Sequence, residues 1–558
     1  MVVTHDRRSY ATRMFRALAV KNAVAGADGA AVPTPAIRLA LLLAVWTGAV
    51  LRVLEFAVLR PVSVDEAALA RTILGHGWAT LFGPLDYGQV APAGFLAAQK
   101  LALHVSQHEA ALRFVPMLAA LATLPLSLAV ARRLVSGAAG LCFVLCMAVA
   151  SPIVAYAATG KPYALDVAAS LVVWLIALDA DAARSRRDVV RLAALAVPTA
   201  LVSFTAVFTL AAAAVVALLR AVQRPGTRAI HGGCALAWGA TSALGYGLAQ
   251  VGLSTTDADY MQWFWMSGFP PAGASAVVTL HWLWAQSASL FGQTLRYRGS
   301  SVCVVLAIVG AVSLARRRGP DALLVTGPVL LVLGAAVMHR YPFTAGRVQL
   351  FLVPHALLLV AEGAHWCAQA LRQRVSLVYA VPLLFVATTS LYGAVRSDRP
   401  PEIDRPPIRL FLREVARAWQ PGDRLFVHYT EAQQYLYYAS RIGLPSDAVV
   451  VGACSRGVGR PYLRDAATLL GHRRVWVALT HRSDLETDLL RAFLDTSGRR
   501  EWTGLSADDG GYGYRYDLAE FRQLPADAEH LPLPAPLDNA EPFRWSCYGV
   551  FEPFAKAR

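Results

Sequence analysis

Acidic residues are scarce in most of this 558-residue chain, and several long stretches carry no charge of either sign. Charged residues make up only 16% of the sequence, against 56% hydrophobic residues. The runs Met117–Val130, Ala322–Val337 and Val375–Val395 contain none. A water-soluble core interrupts its apolar runs more often than this, so an ordinary soluble enzyme of this length is excluded. Apolar stretches near 20 residues match the hydrocarbon thickness of a bilayer. There is no CxxC pair and no Cys/His cluster, so nothing points to zinc. Cys142, Cys146, Cys234, Cys303 and Cys367 fall within apolar spans and read as packing residues. Cys454 and Cys547 lie in the polar C-terminal part and could pair in an oxidising compartment. No cleavage site with a short apolar core follows the basic, Ala-rich N-terminus. Residues 1–34 therefore read as a basic cytoplasmic leader, and the next apolar segment as an uncleaved span.

The formal net charge is +15, which on its own would admit nucleic acid as a partner. Its distribution argues against that. Residues 396–558 hold 22 Lys+Arg and 22 Asp+Glu, so the excess lies in residues 1–395, with 30 against 15. About two thirds of those 30 fall in the first 38 residues and in five short breaks: Arg132–Arg133, Arg184–Arg191, Arg220–Arg228, Arg316–Arg318 and Arg372–Arg374. That is the positive-inside pattern of cytoplasmic loops. No nucleic-acid partner is expected; the lipid bilayer is.

The sequence predicts a polytopic α-helical membrane protein with a C-terminal extracytoplasmic α/β domain. Spans fall at about 36–59, 110–131, 138–157, 164–182, 190–204, 206–222, 230–252, 301–315, 321–338, 348–370 and 375–395. The stretch 190–222 is too long for one crossing, and its basic flanks favour two short ones around Ser203–Thr205. Eleven crossings from a cytoplasmic N-terminus place residues 396–558 outside the cytoplasmic membrane. The outward loops are then a large one at 60–109, a turn near 158–163, the aromatic-rich 253–300 and His339–Arg347. The aromatics Tyr260, Trp263, Phe264, Trp265, Trp282 and Trp284 suit helices at headgroup level. Pro400, Pro401, Pro406 and Pro407 mark a linker. Beyond it an amphipathic stretch (408–419) precedes alternating strands and helices: strands at 424–429, 448–451 and 475–479, helices at 431–441, 461–471 and 485–497. That order suggests a partly parallel sheet. The C-terminal part has no GxGxxG, no Walker loop and no nucleophile elbow, so its chemistry is silent.

Ionisable residues that break the membrane pattern are the candidates for chemistry. Asp65 and Glu66 follow the first span directly. They have a plain alternative reading, in which Ser63 or Asp65 caps a helix starting at Glu66. Tyr87, Gln89 and Pro92 form a Tyr-x-Gln-x-x-Pro segment, equally readable as a turn into an interfacial helix. Lys161, Pro162, Tyr163 and Asp166 form Lys-Pro-Tyr-x-x-Asp. Lys161 could snorkel to the headgroups, but Asp166 lies about a turn inside the next span and needs a partner or a wet cavity. Lys161 could be that partner, or a cation could bridge Asp65 and Asp166. Arg340 and Arg347 stand on the outer side; they could touch lipid phosphate non-specifically or hold one phosphate. Arg52 and Glu55, three apart in the first span, could neutralise each other.

Taken in this order, these segments resemble the GT-C membrane glycosyltransferases, with Tyr-Pro-Phe-x-x-Gly-Arg at 341–347 as a further match. Within that group the chain is similar to the bacterial protein O-mannosyltransferase-like and lipid A aminoarabinose transferase-like enzymes. The likeness covers about residues 36–370. It implies a GT-C fold, a polyprenyl-phosphate sugar donor and inverting transfer of a hexosyl or pentosyl group to a lipid, cell-envelope glycan or protein. It casts Asp65 as the catalytic carboxylate, acting as general base or holding a divalent metal with Asp166. Glu66 would support it or contact acceptor, and Asp166 would assist. Lys161 and Arg347, with Arg340, would stabilise the departing phosphate. Tyr87, Gln89, Pro92 and Tyr163 would line the substrate. Many relatives carry Glu where this chain has Gly160. The aminoarabinose transferases carry Glu-Lys-Pro in the first loop, so the sugar could differ here. A transporter or lipid flippase is the rival class, but no internal repeat is visible and the polar candidates lie at the outer mouth. A non-catalytic scaffold is a third reading, and the presence of Asp65 speaks against it.

Overall fold

The computed structural model describes residues 35–135, 137–251, 255–372, 381–395, 408–452, 460–479, 484–504 and 512–520. The leader, the proline linker, Cys454 and Cys547 lie outside these residues. Among those described, the helices are α1 Pro35–Ala57, α2 Val64–Gly75, α3 Ala93–Val105, α4 Glu109–Leu134, α5 Gly137–Val149, α6 Ser151–Tyr156 and α7 Tyr163–Asp179. Next come α8 Arg186–Val202, α9 Ala206–Gln223, α10 Arg228–Val251, α11 Thr255–Phe264, α12 Ala276–Ser289, α13 Ser300–Arg318, α14 Ala322–Val337, α15 Val353–Arg372 and α16 Val381–Val395. By length and composition, six helical segments can cross a membrane: Pro35–Ala57, Glu109–Leu134, Tyr163–Ala182, Ala206–Gln223, Ser300–Val337 and Arg347–Leu371. The bent pair α5 and α6 makes a seventh. Helices stand at each expected span position, but α8, α10 and α16 are too short or too polar to count on these grounds alone. The chain is a multi-pass membrane protein; eleven crossings remain an expectation.

The bend between α5 and α6, 45° at Ala150, follows from Pro152. A proline has no N–H to give the carbonyl four residues back, here that of Ala148. Arg52 answers it from α1. Its buried guanidinium donates to the Met147 and Ala148 carbonyls, each at 2.9 Å, and to Gly48 at 2.8 Å. The expected Arg52–Glu55 pair does not form. Glu55 instead meets Arg60 at 2.9 Å, because Arg52 is drawn to the freed carbonyls.

The bundle has two chemically different ends. At one end the basic breaks converge. Arg220 bridges Asp181 and Asp321 at 3.3 and 2.5 Å, Arg133 meets Asp179 at 2.5 Å, and Arg317 meets Glu362 at 2.5 Å. At the other end residues 60–109, 157–162 and 338–352 meet one another and the segment 265–294. Phe343 donates its N–H to the Gly268 carbonyl at 2.7 Å, and Gly346 donates to Thr294 Oγ1 at 2.9 Å. The aromatic-rich segment is helical at α11 and α12, as expected for interfacial helices.

The C-terminal part starts with α17 Ile408–Ala418 and continues with α18 Ala432–Ile442, α19 Arg460–Ala467 and α20 Asp484–Ser497. Its strands are β1 Arg424–Val427, β2 Val449–Val451, β3 Val475–Leu479, β4 Arg499–Gly504 and β5 Tyr512–Asp517, in the order β2-β1-β3-β5-β4. β1 pairs in parallel with β2 and β3, whereas β5 runs antiparallel to β3 and β4. The sheet is therefore partly parallel, with two strands more than the sequence pattern shows. This domain shares a core with the first loop. Ile408, Phe411, Leu412 and Val415 on one face of α17, with Tyr435, Tyr437 and Tyr438 of α18, pack with Val62, Leu69 and Ile73. Polar contacts fix the seam. Val62 donates its N–H to Tyr438 Oη at 2.9 Å, Gln434 donates to the Val62 carbonyl at 2.7 Å, and Glu109 accepts from both Tyr438 and Arg409. Replacing Glu109 with Ala leaves two buried donors unmatched. A loss of about 3–5 kcal/mol is expected, read as a lower melting temperature in detergent and faster proteolysis at the seam. An unchanged melting temperature would show the seam is not held there.

Candidate functional site

The site is built on the start of α2. Ser63 is the N-cap, accepting from the Glu66 N–H at 3.2 Å, while Glu66 Oε2 accepts from the Ser63 N–H at 2.9 Å. The capping reading is thus correct for Ser63, and the helix starts at Val64 rather than Glu66. Glu66 does more than cap. It is 3% exposed, pairs with Arg113 at 3.0 Å, and accepts the Gly160 N–H at 2.6 Å. Arg113 also donates to the carbonyls of Arg60 and Pro61, at 2.5 and 3.1 Å. Burial disfavours ionised Glu66, but the Arg113 guanidinium and the Ser63 and Gly160 N–H groups outweigh it and hold the carboxyl below the usual range. Both carboxylate oxygens are engaged inside the protein. Glu66 therefore sits where it positions neighbours, and a contact with acceptor is not what this geometry offers.

Asp65, one residue earlier on the helix, points the other way. Its side chain is 40% exposed and its Oδ2 lies 2.9 Å from Arg347 Nη1. Arg347 opens a 3-10 turn, Arg347–Leu352, that feeds α15. Gly346 precedes it at φ 107°, ψ −158°, a conformation in which an L side chain is strained. The Arg347 guanidinium lies 5.7 Å from the Trp265 ring centre, from the aromatic segment. Arg340 is exposed in the same loop.

Lys161 is buried in the turn between α6 and α7 and donates to Gln89 Oε1 at 2.5 Å. Burial pushes its ammonium down to about 8, with Asp65 and Glu66 opposing and Arg347 adding to the shift. So Asp65, Arg347 and Lys161 share one electrostatic neighbourhood, drawn from three loops distant in sequence. Gln89 also donates to the Tyr87 carbonyl at 3.3 Å; Tyr87 has φ 60°, and Arg71 lies over its ring at 4.9 Å. Pro92 is the buried residue ahead of α3.

Asp166 is not paired with Lys161, which is committed to Gln89. Instead Asp166 is buried on α7, faced by the Ser203 and Thr205 hydroxyls, and its Oδ1 has no hydrogen-bond partner among the described residues. Tyr341 and Tyr163 flank it. Burial, then the charges of Asp166 and Tyr163, push the Tyr341 phenol upward. Tyr163 packs edge-on against Tyr156 at 5.1 Å. Among the described residues no group of three or more His, Cys, Asp or Glu could hold a metal. Asp65 and Asp166 would supply at most two carboxylates. Two carboxylates are fewer ligands than a cage built by protein alone requires.

Arg113, Trp265, Tyr341 and the hydroxyls of Ser203 and Thr205 escape the sequence reading. Trp265, Tyr341 and Ser203–Thr205 stand out in the sequence for other reasons, and Arg113 only as an arginine near the start of an apolar span. Gly160 also gains a reason. A Cβ there would lie 2.6 Å from Leu112 Cγ, so the turn that brings its N–H to Glu66 has no room for a side chain. Gly160→Ala is expected to cost about 1–3 kcal/mol by overpacking, seen as a lower melting temperature, and Leu112→Ala should recover part of it. Additive losses in the double variant would mean the two positions do not touch.

No protein-family model matches the chain, and no curated protein matches it. Solved structures do. The chain is similar to the archaeal oligosaccharyltransferase AglB from Archaeoglobus fulgidus, in complex with an inhibitory peptide and a dolichol-phosphate. Identity is 11%, coverage 89% of this chain and 75% of that one, and the TM-score 0.47. It is similar to apo ArnT from Cupriavidus metallidurans at 12% identity, with 87% and 99% coverage and a TM-score of 0.49. ArnT from Cupriavidus metallidurans bound to undecaprenyl phosphate matches at 12% identity, with 87% and 98% coverage and a TM-score of 0.45.

Proposed function

We propose that the protein is a glycosyltransferase that moves a sugar from a polyprenyl-phosphate donor to a hydroxyl of a lipid, cell-envelope glycan or protein at the outer face of the cytoplasmic membrane. The observation that carries this is the ion pair of a half-exposed Asp65 with Arg347, beside a buried Lys161. Two cations and one accessible carboxylate at the loop end of an apolar bundle suit a lipid phosphate that leaves while an acceptor hydroxyl attacks. The order of motifs in the sequence supports the same reading.

The arrangement suggests how the step runs. A donor phosphate competes with Asp65 for Arg347, because a guanidinium binds phosphate well. Arg347 and Lys161 then face the phosphate, where negative charge grows. Asp65, relieved of its partner, accepts the acceptor's proton. The acceptor oxygen bonds to the anomeric carbon, the bond from that carbon to the phosphate oxygen breaks, and its electron pair leaves with the phosphate. Attack from the face opposite the phosphate inverts the centre. Asp166 and Tyr341 border the sugar. A divalent cation entering with the phosphate would take Asp65 and Asp166 as ligands and supply further neutralisation.

The test is transfer of labelled sugar from polyprenyl-phosphate donors in proteoliposomes. Asp65→Asn is expected to lower the rate at least about 100-fold, and full activity in that variant would remove Asp65 from its role. Lys161 carries its charge below about pH 8 and loses it above. Donor kcat/KM should therefore fall as pH rises through about 8, and Lys161→Arg, charged throughout, should flatten that limb. An alkaline limb unchanged in Lys161→Arg would contradict the assignment. EDTA should slow transfer and magnesium or manganese restore it; indifference to EDTA removes the cation.

A further inference from the structure

A cavity of about 420 Å³ lies between α17, α18 and the start of α4. Glu109, Arg409, Arg413, Arg417, Tyr438 and Arg441 line it. The three arginines of α17 stand four residues apart, stacked on one helical face. Like charges at that spacing repel and destabilise a helix. Among the described residues only Arg409 of the three has a carboxylate partner, Glu109. Even so, Arg409 Nε is buried with no hydrogen-bond partner among the described residues. Arg441 is turned to the Gln107 carbonyl at 2.6 Å and over the Tyr437 ring at 4.1 Å. Arg413 and Arg417 meet no carboxylate at ion-pair distance among the described residues, and both are exposed. The cavity is therefore strongly cationic, although residues 396–558 carry equal numbers of basic and acidic residues overall.

Its position says what could neutralise it. Glu109 begins the apolar span Glu109–Leu134, and Arg409 also donates to the Leu59 carbonyl at 3.0 Å, just past the end of the span Pro35–Ala57. The cavity thus lies where two apolar spans end, the depth that headgroups occupy around spans crossing a bilayer. We propose that it binds the phosphate of an anionic lipid headgroup, with Arg413 and Arg417 as the phosphate ligands and Arg409 fixing the wall. This site is separate from the Lys161 and Arg347 neighbourhood and does not depend on the transferase reading.

The experiment is calorimetric titration of the full-length protein in neutral detergent with dihexanoyl phosphatidate, dihexanoyl phosphatidylcholine and inorganic phosphate. Saturable phosphatidate binding is expected, about 30-fold weaker in Arg413→Ala/Arg417→Ala with an unchanged melting temperature. Arg413→Lys/Arg417→Lys should retain part of the affinity, and Lys161→Ala/Arg347→Ala should leave it intact. Equal phosphatidate binding by wild type and the double alanine variant would overturn the site. So would equal binding of phosphatidylcholine, which marks partition alone. Inorganic phosphate binding as tightly as phosphatidate would overturn the lipid assignment in favour of a free-anion site.

Discussion

Glu66 is the residue on which the arrangement depends. One buried carboxylate caps α2, binds Arg113 and holds the Gly160 N–H, so three segments remote in sequence share an anchor. A lone buried charge is expensive, and its cost falls only when every oxygen finds a donor. Here the Ser63 N–H, the Arg113 fork and the Gly160 N–H fill both oxygens. The result fixes where Asp65 leaves the helix and where the Lys161 turn arrives. Adjacent carboxylates thereby face different surroundings, Glu66 buried among its donors and Asp65 part-exposed beside Arg347.

A second constraint comes from the C-terminal domain. It has no motif of its own, yet it packs the apolar face of α17 and the tyrosines of α18 against the first loop. Tyr438 and Gln434 clamp Val62 on both its N–H and its carbonyl, three residues before Asp65. Arg71 on α2 reaches Gln433, and the same arginine covers the ring of Tyr87, whose carbonyl receives Gln89. A chain of contacts thus runs from the C-terminal domain through the first loop to Lys161. The domain stiffens the loop that carries the site.

Much of this is legible in the sequence, and the rest is not, for physical reasons. Apolar length and the arginine breaks marked the helices, because burial in lipid leaves a strong one-dimensional signal. The breaks do converge at one end and the candidate loops at the other. Of the two readings of Glu66, support for Asp65 or contact with acceptor, the buried geometry agrees with support; its partners Arg113 and Gly160 are 47 and 94 residues away, a separation no local pattern reports. β4 was missed because Arg499–Gly504 is a half-exposed edge strand with little apolar content. β5 buries Tyr514 and Tyr516 at alternate positions, a faint signal beside a glycine-rich stretch. Arg52 and Glu55 look like partners by spacing, but the Met147 and Ala148 carbonyls at the bend before Pro152 take the guanidinium instead.

The central claim is that Asp65, Arg347 and Lys161 form the place where a lipid phosphate departs. A structure of the protein with a polyprenyl phosphate bound tests it most directly. The account predicts phosphate oxygens within hydrogen-bond distance of both Lys161 Nζ and the Arg347 guanidinium, with Arg347 drawn off Asp65. A phosphate seated elsewhere, with the Asp65–Arg347 pair intact, would contradict it.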